Sequence, residues 1–148
     1  MQSKAAGFSL IELMVVVAIL GVLTSIAVPS FRAYLLKSRV SEVIAAASTA
    51  SATVGLMVQE NPTLASLNNA CAQYATGGTN AYSIIPTANV ASVTISSSCV
   101  ITATSAPLGG ANGPVVTITL TPTLNATDGA LQWACTSGKS LYAPGTCQ

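Results

Sequence analysis

The sequence of 148 residues contains no histidine. That removes the commonest general base and the commonest metal ligand. Charged residues are 6% of the chain, where roughly 25% is usual. The only carboxylates are Glu12, Glu42, Glu60 and Asp128. No Gly-x-Ser-x-Gly and no phosphate-binding loop occur. Asp128 stands too far from other acids in sequence to supply the several oxygens that calcium takes. Four cysteines are present, but none forms Cys-x-x-Cys, and no histidine could complete a zinc set. No catalytic residue, metal site or cofactor is therefore expected, and the chain reads as a non-enzyme. The formal net charge of +1 provides no basic field for nucleic acid, so no specific nucleic-acid site is expected.

What the chain has instead is apolar surface. Hydrophobic residues make up 51% and the mean hydropathy is +0.63. Phe8 to Val28, FSLIELMVVVAILGVLTSIAV, carries one charge, Glu12. As a helix it would span roughly 30 Å, one hydrocarbon core. A cleaved signal peptide would have a shorter apolar stretch and a small-residue site after it. Here Pro29-Ser30-Phe31-Arg32 follows, which favours a retained membrane helix. Between Glu60 and Asp128 there is no charge, and solubility there rests on hydroxyls and amides.

Helical periodicity continues beyond Pro29. Leu36, Val40, Val43, Ala47, Ala50, Val54 and Met57 alternate spacings of four and three, one face of a helix. The helix is expected to end near Glu60-Asn61, because Pro62 disfavours helix in the residue before it. Pro29, lacking an N–H, is expected to kink or weaken the ladder, with Gly21 a second soft point. Residues 61–89 read as loop. Then apolar residues alternate at Ala91/Val93/Ile95, Cys99/Ile101/Ala103, Val116/Ile118/Leu120 and Leu131/Trp133/Cys135. Four such strands, with turn signals at Gly109-Gly110, Asn112-Gly113-Pro114 and Asp128-Gly129, predict an antiparallel sheet with one apolar face. That face is the natural partner of the helix stripe. The fold class is α+β: a long N-terminal helix, membrane span plus amphipathic half, packed on a four-stranded antiparallel sheet. The divisions expected are 1–7, a membrane helix at 8–30, and a globular head at 31–148.

All four cysteines lie beyond the apolar span, in a Ser/Thr-rich region, which reads as two disulfides in an oxidising compartment. Three connectivities are open; the pairing adopted is Cys71–Cys99 with Cys135–Cys147. The second bridge closes a short loop, worth about 3 kcal/mol in the loop-entropy model.

The segment Gly7-Phe8-Ser9-Leu10-Ile11-Glu12-Leu13-Met14-Val15-Val16-Val17-Ala18-Ile19-Leu20 resembles the start of a type IV prepilin of the type IVa kind. The likeness runs over residues 4–42. At the other end, Trp133-Ala134-Cys135-Thr136 followed by Pro144-Gly145-Thr146-Cys147 resembles the C-terminal disulfide loop of these pilins. The resemblance implies a leader, residues 1–7, with Lys4 its basic residue. It implies cleavage between Gly7 and Phe8 by a prepilin peptidase, and methylation of the new Phe8 amine. It implies a ladle-shaped subunit, anchored in the inner membrane and its lipid as a single-pass precursor. Inner-membrane assembly machinery would then polymerise it into a helical homo-oligomeric filament at the cell surface. Gly21 to Pro29 corresponds to the segment that loses helical order in such filaments. Adhesion, twitching motility and DNA uptake are the functions implied. Minor pilins and type II secretion pseudopilins share such leaders, and a membrane-anchored extracytoplasmic binding module that never polymerises is the alternative of another class.

Glu12 has a physical role in this scheme. A carboxylate at the centre of a membrane span costs about 2.5–3.5 kcal/mol on insertion scales. Cleavage after Gly7 creates a positive amine four residues before Glu12, and that amine on one subunit can meet Glu12 of another inside an apolar bundle. Lys4 against Arg32, Lys37 and Arg39 runs counter to the positive-inside rule for a head outside the membrane. The cysteines and the resemblance both place the head outside. Phe31 and Tyr34 read as packing or interface residues. Asn125-Ala126-Thr127 matches a glycosylation sequon by pattern, and reads as a chance match in an Asn- and Thr-rich chain.

Overall fold

The computed structural model describes residues 7–61, 63–75, 77–78, 81–125, 129–139, 141–143 and 147. Lys4, the Ala126-Thr127 part of the sequon, Asp128 and Pro144-Gly145-Thr146 lie outside the described residues. The order of elements is α1 (Leu10–Glu60), α2 (Leu64–Tyr74), β1 (Val90–Ile95), β2 (Ile101–Ser105), β3 (Thr117–Leu124) and β4 (Leu131–Ser137).

The chain divides into two units at Leu35/Leu36. The reason lies in the stripe: Leu36 is the first residue that packs on the core, whereas Phe31, Arg32 and Tyr34 are exposed.

In the first unit α1 is a single apolar rod with none of its large side chains buried. It is long and apolar enough to cross a membrane. It stays helical through Pro29. Proline still removes the N–H that would bond the Ser25 carbonyl. Hydroxyls return donors to this stretch: Thr24 Oγ1 donates to Leu20 O (2.6 Å), Ser25 Oγ to Val22 O (2.7 Å) and Ser30 Oγ to Ile26 O (3.1 Å).

In the second unit the rest of α1 buries Val40, Val43, Ala47, Ala50, Val54 and Met57. This is the stripe read from the sequence, with Leu36 half-buried at its start. The sheet is an antiparallel meander in the order β1-β2-β3-β4. Ile101, Ala103, Val116, Ile118 and Leu120 face the same core. Burying a side chain of valine or isoleucine size stabilises by about 1.5–3 kcal/mol, and this shared core holds the helix and the sheet together.

Two local expectations are corrected. In β1 the buried residues are Val90, Val93 and Ile95, while Ala91 is exposed. The pairing with β2 slips between Val90 and Ser92. A bulge inserts one residue and breaks strict alternation. Second, the stretch 61–89 is not all loop, because α2 occupies Leu64–Tyr74. Thr63 caps it: the Ser66 N–H donates to Thr63 Oγ1, and the Thr63 N–H donates to Ser66 Oγ. This reciprocal pair satisfies donors that a helix start leaves free. Leu67 and Cys71, one turn apart, bury the inner face.

Pro122 sits within β3 at a permitted place. The ladder to β2 covers Thr117–Leu120 only, so on that side Pro122 has no ladder bond to lose.

Candidate assembly and processing site

The first unit presents the residues read as the processing signal. Gly7, Phe8 and Ser9 precede the helix, and all are exposed. A side chain at Gly7 would meet nothing within 4 Å. The Ser9 carbonyl accepts the N–H groups of Glu12 (3.1 Å) and Leu13 (3.2 Å), which starts α1. Glu12 therefore lies in the first turn, where the partial positive charge of the helix N-terminus favours a carboxylate. In the uncleaved chain the Phe8 nitrogen is an amide and carries no charge. Only cleavage before Phe8 gives that position a cation to set beside Glu12. Behind Glu12, Gly21 faces open space and Pro29 sits among the three hydroxyl-to-carbonyl bonds described above.

The apolar side chains of this unit have no cover. Phe8 is 82% exposed, Leu10 75% and Ile26 69%. A contiguous apolar surface of this extent marks contact with lipid or with other protein.

Family comparison settles which kind of protein carries such a rod. Residues 37–148 match the family model described as pilin, a bacterial filament protein. The chain belongs to the pilin family. Residues 2–28 of this pilin also match the prokaryotic N-terminal methylation motif. Among its relatives is the fimbrial protein EcpC of Eikenella corrodens, 33% identical over 144 residues, which covers 96% of this chain and 90% of that protein. The type IV major fimbrial protein FimA of Dichelobacter nodosus is 52% identical over 44 residues, 30% of this chain and 28% of FimA. The type IV major pilin protein PilE1 of Neisseria gonorrhoeae is 36% identical over 69 residues, 42% of this chain and 32% of PilE1. No solved structure matches the chain significantly.

In the head of this pilin the cysteines form two bridges. Cys71 of α2 is bonded to Cys99, with Cα atoms 5.3 Å apart, and Cys135 of β4 to Cys147, with Cα atoms 4.7 Å apart. Cys99 sits in the β1–β2 turn with φ 59°, a left-handed conformation uncommon outside glycine. The first bridge fastens α2 to that turn; the second ties Cys147 to β4.

Sequence reasoning gave Glu42 no role, yet it makes the longest-range polar contacts among the described residues of the head. Thr87 Oγ1 donates to its Oε1 (2.6 Å) and Asn89 Nδ2 to its Oε2 (2.7 Å). Thr87 Oγ1 also accepts from the backbone N–H groups of Asn89 and Val90. One carboxylate on α1 thus anchors the entry to β1. The Thr87 hydroxyl first, then the Asn89 amide, hold the Glu42 carboxyl below its ordinary value of 4.5, against a smaller opposing effect of burial. A lone acid on a helix face carries no local signal of such partners, which lie more than 40 residues away in sequence. Among the described residues no three of His, Cys, Asp and Glu come together as a metal-holding group.

Proposed function

We propose that this chain is the structural subunit of a type IV pilus, made as a single-pass precursor in the inner membrane. Its leader, residues 1–7, is removed by a prepilin peptidase after Gly7, and the new amine of Phe8 is methylated. The rod at 8–30 serves first as the membrane anchor and then as the core of a helical homopolymer. The head, 31–148, forms the outer wall. The assembly machinery of the inner membrane extracts the processed subunit, and the filament serves adhesion, twitching motility or DNA uptake. The observation that carries this reading is the rod itself: a helix uncovered on every side, joined to a methylation motif, in a member of a filament family. Such a surface is covered by lipid before assembly and by copies of itself afterwards.

The proposed registration device is Glu12. In a bundle of such rods the Phe8 amine of one copy pairs with Glu12 of another, at a depth where water does not screen the pair. Gly21 and Pro29 bracket the stretch proposed to loosen when the rod enters the filament. The relatives FimA and PilE1 are named as major subunits, which supports a major rather than a minor role.

Mass spectrometry of surface filaments tests the processing. The expected chain begins at N-methylated Phe8, and Gly7→Leu leaves the leader attached. Filaments assembled from chains that retain Met1 would refute the scheme.

A further inference from the structure

We propose that the cleft between the end of α1 and the outer face of α2 is a binding site for a neutral saccharide. The cleft has a volume of about 410 Å³. Ligand sites range over roughly 300–1,000 Å³, so this one holds one or two sugar rings.

Its lining has the chemistry such a ligand requires. Glu60 is the last residue of α1 and Asn61 follows it. Asn69 and Gln73, one turn apart on α2, stand opposite, with the Tyr74 ring beside them. Met57 contributes apolar floor. The Asn61 amide is already committed to Met57 O (3.0 Å), and Ser66 is used in the cap of α2. The side chains of Glu60, Asn69 and Gln73 make no hydrogen bond among the described residues, so their capacity is available to a ligand. Two amides supply donors and acceptors in fixed pairs, and Glu60 accepts only. A ring of vicinal hydroxyls matches that set, while its C–H face suits Tyr74 and Met57.

Charge narrows the class. The lining contains one carboxylate and no cation. α1 ends here without a basic residue in its last turn, so the negative end of the helix adds to Glu60. Phosphates, sulfates and acidic sugars are disfavoured, and a ligand rich in hydroxyl donors is favoured. The walls are fixed: the Thr63 cap holds one end of α2, and the Cys71–Cys99 bridge pins its inner face. A preorganised polar cleft loses less entropy on binding than a mobile one.

The site does not depend on polymerisation, so it is testable on the full chain held in phosphocholine micelles, a detergent without a sugar head group. The probes are lactose, N-acetylglucosamine and methyl galactoside, followed by NMR. The expected result is millimolar binding, as shallow sugar sites show, with shifts confined to residues 57–74. Asn69→Ala with Gln73→Ala weakens it at least tenfold, and Glu60→Gln weakens it severalfold. Lys139→Ala leaves it unchanged. Absence of binding by all three sugars up to about 50 mM overturns the proposal. So do shifts outside the cleft, or tighter binding of N-acetylneuraminic acid than of lactose. A carbodiimide cross-link from Glu60 to a lysine of a second copy, with no sugar binding, assigns the cleft to contacts between subunits instead.

Discussion

Replacing both Cys71 and Cys99 by alanine removes the bridge that fastens α2 to the β1–β2 turn. The two residues are separated by 28 positions. Loop-closure entropy then gives a stabilisation of about 3.6 kcal/mol at 25 °C, against about 2.9 kcal/mol for the Cys135–Cys147 bridge with its separation of 12. Both Cys71 and Cys99 are fully buried, so lost sulfur packing adds to the first figure. With a urea slope near 1.5 kcal/mol per molar, the unfolding midpoint falls by about 2.4 M. The left-handed backbone at position 99 allows a finer comparison. Alanine keeps the strain of φ 59°, whereas glycine does not. Cys71→Ala/Cys99→Gly is therefore expected to unfold about 0.6 M urea later than Cys71→Ala/Cys99→Ala. The measurement is urea unfolding of the full chain in micelles, followed by the fluorescence of Trp133, the sole tryptophan, which is half-buried on β4. A midpoint loss below about 0.5 M refutes the entropic argument. A glycine variant no more stable than the alanine one shows that the turn relaxes once the bridge is gone.

Glu12→Ala is expected to leave processing and membrane residence intact, since it removes a costly charge from the span, and, on the proposed pairing, to leave the Phe8 amine without a partner in the bundle. An unpaired buried charge costs roughly 3–5 kcal/mol, so filament yield per processed subunit is expected to collapse, with Glu12→Gln intermediate; normal yield from Glu12→Ala removes the pairing mechanism. For Glu42 the folded value lies below the unfolded one, so its contribution is present above about pH 4.5 and is lost as pH falls through the lower, folded value. Urea midpoints recorded from pH 7 down to 3 are expected to fall less steeply for Glu42→Gln than for the wild type, and parallel curves would show that the carboxylate has no part in acid sensitivity.

Much of this architecture was legible in the sequence because long-range order coincided with local period. The stripe from Leu36 to Met57 needs no tertiary information, since spacings of three and four mark one helix face. The β2 and β3 phases were equally plain: Ile101 and Ala103, and Ile118 and Leu120, are buried as their alternation implied. The β1 phase failed at Ala91 because a bulge is a property of pairing, invisible along a single strand. Helix α2 was hidden by its composition, as Ser, Asn and Ala are what a loop also contains. Its signals were present in Thr63 and Ser66 as cap partners and in the spacing of Leu67, Cys71 and Tyr74. Pro29 was read as a soft point within one continuous helix, and the helix runs through it, since one missing N–H leaves the ladder intact on both sides. The Glu42 cluster and the α1–α2 cleft exist only once distant segments meet.

The meander has a consequence for the order of events as the chain is made. Every strand pairs with its neighbour in sequence, and each disulfide joins consecutive cysteines. Synthesis runs from the N-terminus, at roughly 5–20 residues per second. The stripe of α1 is complete long before any strand exists to cover it, so it waits exposed. Cys71 and Cys99 can meet once the β1–β2 turn has emerged, while Cys135 and Cys147 are still unmade. A bridge formed at that moment cannot choose the wrong partner. The spacing of the cysteines thus gives a first bridge that forms before Cys135 is made a single possible partner.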